Sequence, residues 1–394
     1  GLQWFVETNP TPEDRAVFRL VVKAGSVLED DDQRGLAHFV EHMAFNGTEH
    51  FPPGELVAYL EGIGTQFGAH LNAHTAFDET VYKLEVPTDD PELLDQTLLV
   101  LSDWASGITF DPNEIEKERG VVLEEWRLHQ GAGGRIADEM VPLTFHDSLY
   151  AERLPIGTKE SLEGFAPQAL TRFYRDWYRP DLMAVVVVGD IDADDMQARI
   201  ESTFGELRNP EPERPRVHPP IPRHDETLFG VFPDPEMPQT SITVLAKVQD
   251  VEGNTHQDYR DFLLGNLVFA MVNERLTDLA HADEPPFLGA AAGSQRISPT
   301  MSAYIMAAGA KEGGIGTALD AVMTEIARIK RYGFTQAELD RARAAQMRVM
   351  ENYAMEEHTT HSVVHAEEIV RHVTTGEPMP GIPYEYLLAK TYMP

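Results

Sequence analysis

Residues 208–223 read RNPEPERPRVHPPIPR. Prolines at that density bar both a helix and a central strand, because each fixes its φ and removes a backbone N–H donor. The segment predicts an extended, stiff connection, a Pro-rich linker between two globular parts at 1–207 and 224–394. Each part is long enough for a core of its own in a chain that is 42% hydrophobic. Upstream, residues 2–7, 16–24 and 80–86 read as strands, and 181–190 (DLMAVVVVGD) is a continuous apolar run of the kind buried on both faces of a sheet. Helical patterns cover 35–45, 54–62, 91–106, 111–130 and 167–177. Downstream the order partly recurs, with strands at 241–248 and 300–308 and helices near 257–279, from Gly316 and from Thr335. The apolar stripe Leu263, Leu264, Leu267 and Val268 on the 257–279 helix reads as core. The expected fold class is α+β, with two similar domains, each a mixed β-sheet layered with helices.

Charge and cysteine usage narrow the chemistry. Acidic residues outnumber basic ones 65 to 32, a formal charge of -33 that repels phosphate backbones and anionic lipid and so argues against nucleic-acid or membrane-surface partners. No run approaches the roughly 20 apolar residues of a membrane span. With no cysteine, any metal must be held by His, Asp or Glu. The chain opens directly on a strand-like segment, compatible with a targeting segment removed from upstream of Gly1.

His38-Phe39-Val40-Glu41-His42 carries the most chemistry. On a helix, positions i and i+4 lie one above the other, so His38 and His42 can grip one metal, while Glu41 can reach a water there without being a ligand and so suits a general base. Asp30 to Asp32 precede the first turn, Leu36, Phe39, Val40 and Met43 form its apolar stripe, and Asn46-Gly47 ends it. A zinc site with an open position needs a third protein ligand, here a carboxylate. Residues 111–130 (DPNEIEKERGVVLEEWRLHQ) start as a well-capped helix, with Asp111 at the N-cap, Pro112 next and Glu114 three after the cap. Glu118 and Glu125 lie seven apart on one face of it. The histidines His358, His361 and His365, followed by Glu368 and His372, form a rival cluster, but no glutamate sits between them as Glu41 sits beside His42, and the segment reads as a solvated helix face.

HFVEH, LNAHTAFDETVY and ERGVVLEE, in that order, resemble the inverted-zincin metallopeptidases of the pitrilysin, insulysin and mitochondrial processing peptidase family. Gly35 to Phe45, ERGVVLEEWR (118–127) and Pro155-Ile156-Gly157-Thr158 are most similar to its bacterial, often periplasmic, zinc-protease branch. The likeness runs over most of 1–207 and more loosely to Tyr386. It implies that His38 and His42 are zinc ligands, Glu125 the third ligand, Glu118 a carboxylate supporting the ligands and Glu41 the catalytic base. Glu124 is the rival to Glu125, but it points about 100° away on the helix. Asn72-Ala73 resembles the family's active-site edge strand, to which a substrate backbone adds as a further strand. His42 and Glu125 stand further apart than in shorter members, through residues 65–70.

The implied activity is a zinc-dependent endopeptidase acting on peptides or unfolded segments inside a chamber. The two domains would form one half of a clamshell, 1–207 catalytic and 224–394 non-catalytic and incomplete, the other half coming from a homodimer, a partner subunit or a further C-terminal half. Periplasmic location is implied, with cytoplasmic the alternative. Two other readings are a non-catalytic binding or scaffold subunit, against which the intact HFVEH argues, and a small-molecule metallohydrolase, which gives an Asn72-Ala73 edge strand no role.

Overall fold

The computed structural model describes residues 1–62, 68, 70–249, 253 and 255–393. The chain divides into two compact units, Gly1–Pro233 with Thr359–Thr375, and Asp234–His358 with the segment from Gly376 onward. The first unit holds a five-stranded sheet of β1 (Gln3–Thr8), β2 (Arg15–Val22), β3 (Leu71–Thr75), β4 (Thr80–Pro87) and β5 (Met183–Gly189), in the order β1-β5-β2-β4-β3. Only β1 and β5 run parallel. This order puts the long apolar run in the interior and leaves β3 at an edge. The residues 65–67 and 69 of the expected insertion lie outside the described residues.

All of β5 and nearly all of β2 are buried, so the sheet must be covered on both faces. Part of that cover comes from far along the chain. The helix Ser362–Thr375 packs on β2 and β5 through Ala366, Ile369 and Val370. It is anchored by Asn9, whose Nδ2 donates to the Thr360 carbonyl at 2.9 Å, and by Arg19, which pairs with Glu367 at 3.2 Å. The division expected at 224–394 is corrected here, because MAVVVVG has no polar face and recruits this remote helix. The expected solvated histidine face is corrected with it. His358 and His361 are exposed, but His365 is half-buried with Nδ1 3.0 Å from Glu7 Oε1.

The Pro-rich segment has no regular secondary structure, as its prolines require. It is nevertheless pinned to the first unit: Arg214 pairs with Asp30, Arg216 donates to the Lys23 carbonyl and Ser148 donates to the Pro220 carbonyl at 3.0 Å.

In the second unit, β6 (Ser241–Gln249), β7 (Gly289–Ser298) and β8 (Met301–Gly309) form an antiparallel sheet in the order β6-β8-β7. The strand β7 (GAAAGSQRIS) was not expected, since small residues carry little strand propensity; pairing with β8 and packing against the helix His256–Ala280 impose it. The helix stripe expected to be core is split: Leu263 and Leu267 join Met271 in a buried cluster, while Leu264 and Val268 are each 39% exposed. A second core gathers Val272, Leu276, Phe287, Met306 and Val322. Beside it the buried Arg275 donates to Glu325 at 2.9 Å, to Glu338 at 2.6 Å and to the Gly333 carbonyl at 3.0 Å, so this interior charge is fully partnered.

Candidate metal centre

The helix Leu36–Met43 carries HFVEH with Leu36, Phe39, Val40 and Met43 buried, so the apolar stripe fixes which way the polar residues turn. Its start rests on two glycines. Gly35 has φ +92°, and a Cβ there would lie 2.9 Å from the Gly157 Cα, so the Pro155–Thr158 segment abuts the helix entry at a point where neither chain has room for a side chain. The open N–H groups of the first turn are met by Glu29, whose buried carboxylate accepts from Gly35 at 3.0 Å and Ala37 at 2.8 Å. Burial pushes Glu29 up to about 8 against the pull of those N–H groups. This corrects the expectation for Asp30 to Asp32, which pair instead with Arg214, Arg153 and Arg172.

The helix Pro112–His129 is capped by Asp111, which accepts from Asn113 at 2.8 Å and Glu114 at 3.3 Å. Its buried residues are Ile115 and Val122. Glu118 and Glu125 follow each of these by three positions, so the stripe that packs the helix against the HFVEH helix also delivers both carboxylates to it.

Three donor groups converge. His38 Nε2 and His42 Nε2 lie 3.2 Å apart, Glu125 Oε1 is 3.6 Å from His38 and Glu125 Oε2 3.3 Å from His42. One ligand atom from each of these residues lies within 4.8 Å of the other two. Two imidazole nitrogens and a carboxylate oxygen are the donor set that zinc takes when its fourth position is left to water, so the residues fit that ion. Among the described residues, His38, His42 and Glu125 are the one such group of three or more, so His358, His361 and His365 form no second one. Glu124 points away and pairs with Arg127 at 2.8 Å.

Glu118 does not join the three; its Oε1 lies 2.6 Å from His42 Nδ1, which orients the ring and aims Nε2 at the centre. A residue read in the sequence only as a helix stop completes this shell. Asn46 Nδ2 donates to Glu118 Oε2 at 2.7 Å and to the His42 carbonyl at 3.1 Å. The signal that could have found it is its place one turn after His42. Burial works against charge on His42, yet its bonds to Glu118 and Glu125 push it up to about 9. Burial and the neighbouring His42 hold His38 down at about 4. Glu125 is lowered by its bond to His42.

Glu41 is 8% exposed, and its Oε2 accepts from Thr75 Oγ1 at 2.6 Å. Burial raises its carboxyl above the ordinary range, opposed by that hydrogen bond. Thr75 ends the edge strand β3, which also carries Asn72 and Ala73, and the Ala73 N–H is met by the Asn72 side chain at 2.9 Å.

A zinc titration by chelator competition is expected to rank the surrounding groups. Glu125→Gln weakens binding most and Glu118→Gln by about 10- to 100-fold, the range for a group orienting a ligand. Asn46→Ala weakens it less than Glu118→Gln, and Glu124→Gln leaves it unchanged. Glu124→Gln proving the worst would mean that the other face of the helix holds the metal.

Two family models match the chain: Insulinase (Peptidase family M16) over residues 5–146 and Peptidase M16 inactive domain over 164–346. Among curated proteins it is 34% identical to the Arabidopsis thaliana zinc protease PQQL-like over all of this chain, and 31% identical to the Escherichia coli probable zinc protease PqqL over 89% of it. The chain spans 38% of the length of each. The crystal structure of the first half of the periplasmic protease PqqL from Escherichia coli superimposes with a TM-score of 0.93 at 29% identity, covering 100% of this chain and 84% of that one. No helix among the described residues is long and apolar enough to cross a membrane. With one family's models matching both halves and PqqL sharing its fold, the chain belongs to the M16 peptidases, the inverted-zincin family of pitrilysin, on the branch of the bacterial periplasmic zinc proteases.

Proposed function

We propose that this chain is the zinc-binding part of an endopeptidase that hydrolyses peptides or unfolded segments. The observation that carries the reading is the convergence of His38, His42 and Glu125, with Glu41 beside them as a carboxylate bonded to none of the three. A zinc ion held by His38, His42 and Glu125 would supply a Lewis acid that polarises a scissile carbonyl and acidifies a water. Glu41 takes a proton from the attacking water and returns it to the leaving amine nitrogen. Glu118 and Asn46 keep the His42 ring fixed throughout. The outer edge of β3 takes the substrate backbone as a further strand, with a peptide carbonyl replacing the Asn72 side chain at the Ala73 N–H, so extended peptides are held with little regard to sequence.

The relatives are more than twice as long as this chain, and closure around a peptide would draw on a facing half from a homodimer, a partner subunit or a C-terminal half. The likeness to PqqL supports action in the periplasm. Elemental analysis of protein purified without chelator is expected to find one zinc per chain, and fluorogenic-peptide cleavage to vanish on chelation and return with zinc. Cleavage that survives complete zinc removal would defeat the reading.

A further inference from the structure

We propose that Thr75 is a positioning residue for Glu41, holding the carboxylate of the base from the strand that receives the substrate. The inference rests on the reading of Glu41 as general base.

The direction of the hydrogen bond is fixed by its neighbours. Thr80 Oγ1 commits its hydrogen to the Ala24 carbonyl at 2.9 Å, and the Thr75 and Thr80 hydroxyl oxygens stand 3.5 Å apart, too far to compete with the 2.6 Å contact to Glu41. The single hydrogen of Thr75 therefore goes to Glu41 Oε2. Among the described residues no other group donates to this carboxylate. Without the hydroxyl, the buried Glu41 carboxylate keeps no hydrogen bond to orient it among the described residues. Thr75 is suited to the task because branching at Cβ leaves it few rotamers, and because pairing of β3 with β4, Thr75 opposite Thr80, fixes its backbone.

The consequence is geometric coupling. Asn72-Ala73, where a peptide would add, and Thr75, which holds the base, belong to one five-residue strand. The hydroxyl that orients the base and the backbone that would receive the substrate thus sit two residues apart on one strand, which ties their spacing where an error of about 1 Å can cost roughly 100-fold in rate.

The test compares Thr75→Val, which keeps the shape and removes the hydroxyl, with Thr75→Ser, which keeps the hydroxyl, in zinc-loaded protein of native length. Thr75→Val is expected to lower kcat by about 10- to 100-fold, the range for a group that orients a working residue, with KM and zinc affinity little changed. Thr75→Ser restores most of the loss. In a Glu41→Gln background Thr75→Val adds no further loss. Independently of activity, a crystal structure of zinc-loaded Thr75→Val is expected to show the Glu41 side chain out of its present rotamer. Full kcat in Thr75→Val, an equal loss in the Glu41→Gln background, or Glu41 unmoved in the crystal would overturn the proposal. Full activity in Glu41→Gln alone would instead overturn the general-base reading, and the crystal structure still decides whether the hydroxyl holds the carboxylate.

Discussion

Glu41→Gln is expected to lower peptide turnover by roughly 100-fold or more while zinc stays bound, the scale of losing a general base. The two effects separate because Glu41 is not among the three convergent donors, whereas His38, His42 and Glu125 are. Gln has the size of Glu and keeps an oxygen for the Thr75 hydroxyl, so the local packing survives and only proton acceptance is lost. The measurements are zinc content by elemental analysis and kcat on a fluorogenic peptide, on the same preparations. Undiminished turnover in the variant would remove Glu41 from the mechanism.

What the letters could show depended on how far apart in sequence the contacting groups lie. His38, Glu41 and His42 share a helix, so the rise and turn of a helix determine their arrangement before any tertiary contact forms. Glu118 and Glu125 were legible as a pair on one face for the same reason, but which of them faces Nε2 of a histidine and which Nδ1 is decided by how two helices pack. Asn46 was hidden because asparagine before glycine is a common helix stop, and that role is compatible with the hydrogen bonds it makes to Glu118 and His42. Asp30 to Asp32 stand directly before the first turn, whereas a cap supplied from outside the helix by the buried Glu29 leaves no local pattern. The same distinction applies to the fold. Strands and helices with strong periodicity fell within a few residues of their expected bounds. The helix Ala132–Phe145, carrying Gly133, Gly134 and Pro142, and the strand β7 run against local propensity, so neither is legible in the letters. The helix Ser362–Thr375 joins the first unit although its place in the sequence points to the second, since nothing near it in sequence records the apolar sheet it covers.

Zinc is expected to raise the melting temperature of the first unit by about 10 °C and leave the second unit where it is. His38 and His42 come from one helix and Glu125 from another, both within Gly1–Pro233, so a metal bound by all three ties Leu36–Met43 to Pro112–His129 only when that unit is folded. Binding to the native state alone stabilises it by about 4 kcal/mol when free zinc is 1,000 times its dissociation constant. For a unit of this size each kcal/mol moves the midpoint by roughly 2–4 °C. No comparable group of ligands lies among the described residues of Asp234–His358, where the Arg275 network and the two apolar clusters carry stability without a metal. Calorimetry with and without chelator measures the shift, and hydrogen exchange assigns it: zinc should slow exchange in 36–43 and 112–129 and leave 256–280 unchanged. His42→Ala should abolish the difference between the two scans. A zinc-dependent shift that persists in His42→Ala, or one confined to the second unit, would place the metal away from HFVEH and return attention to His361 and His365.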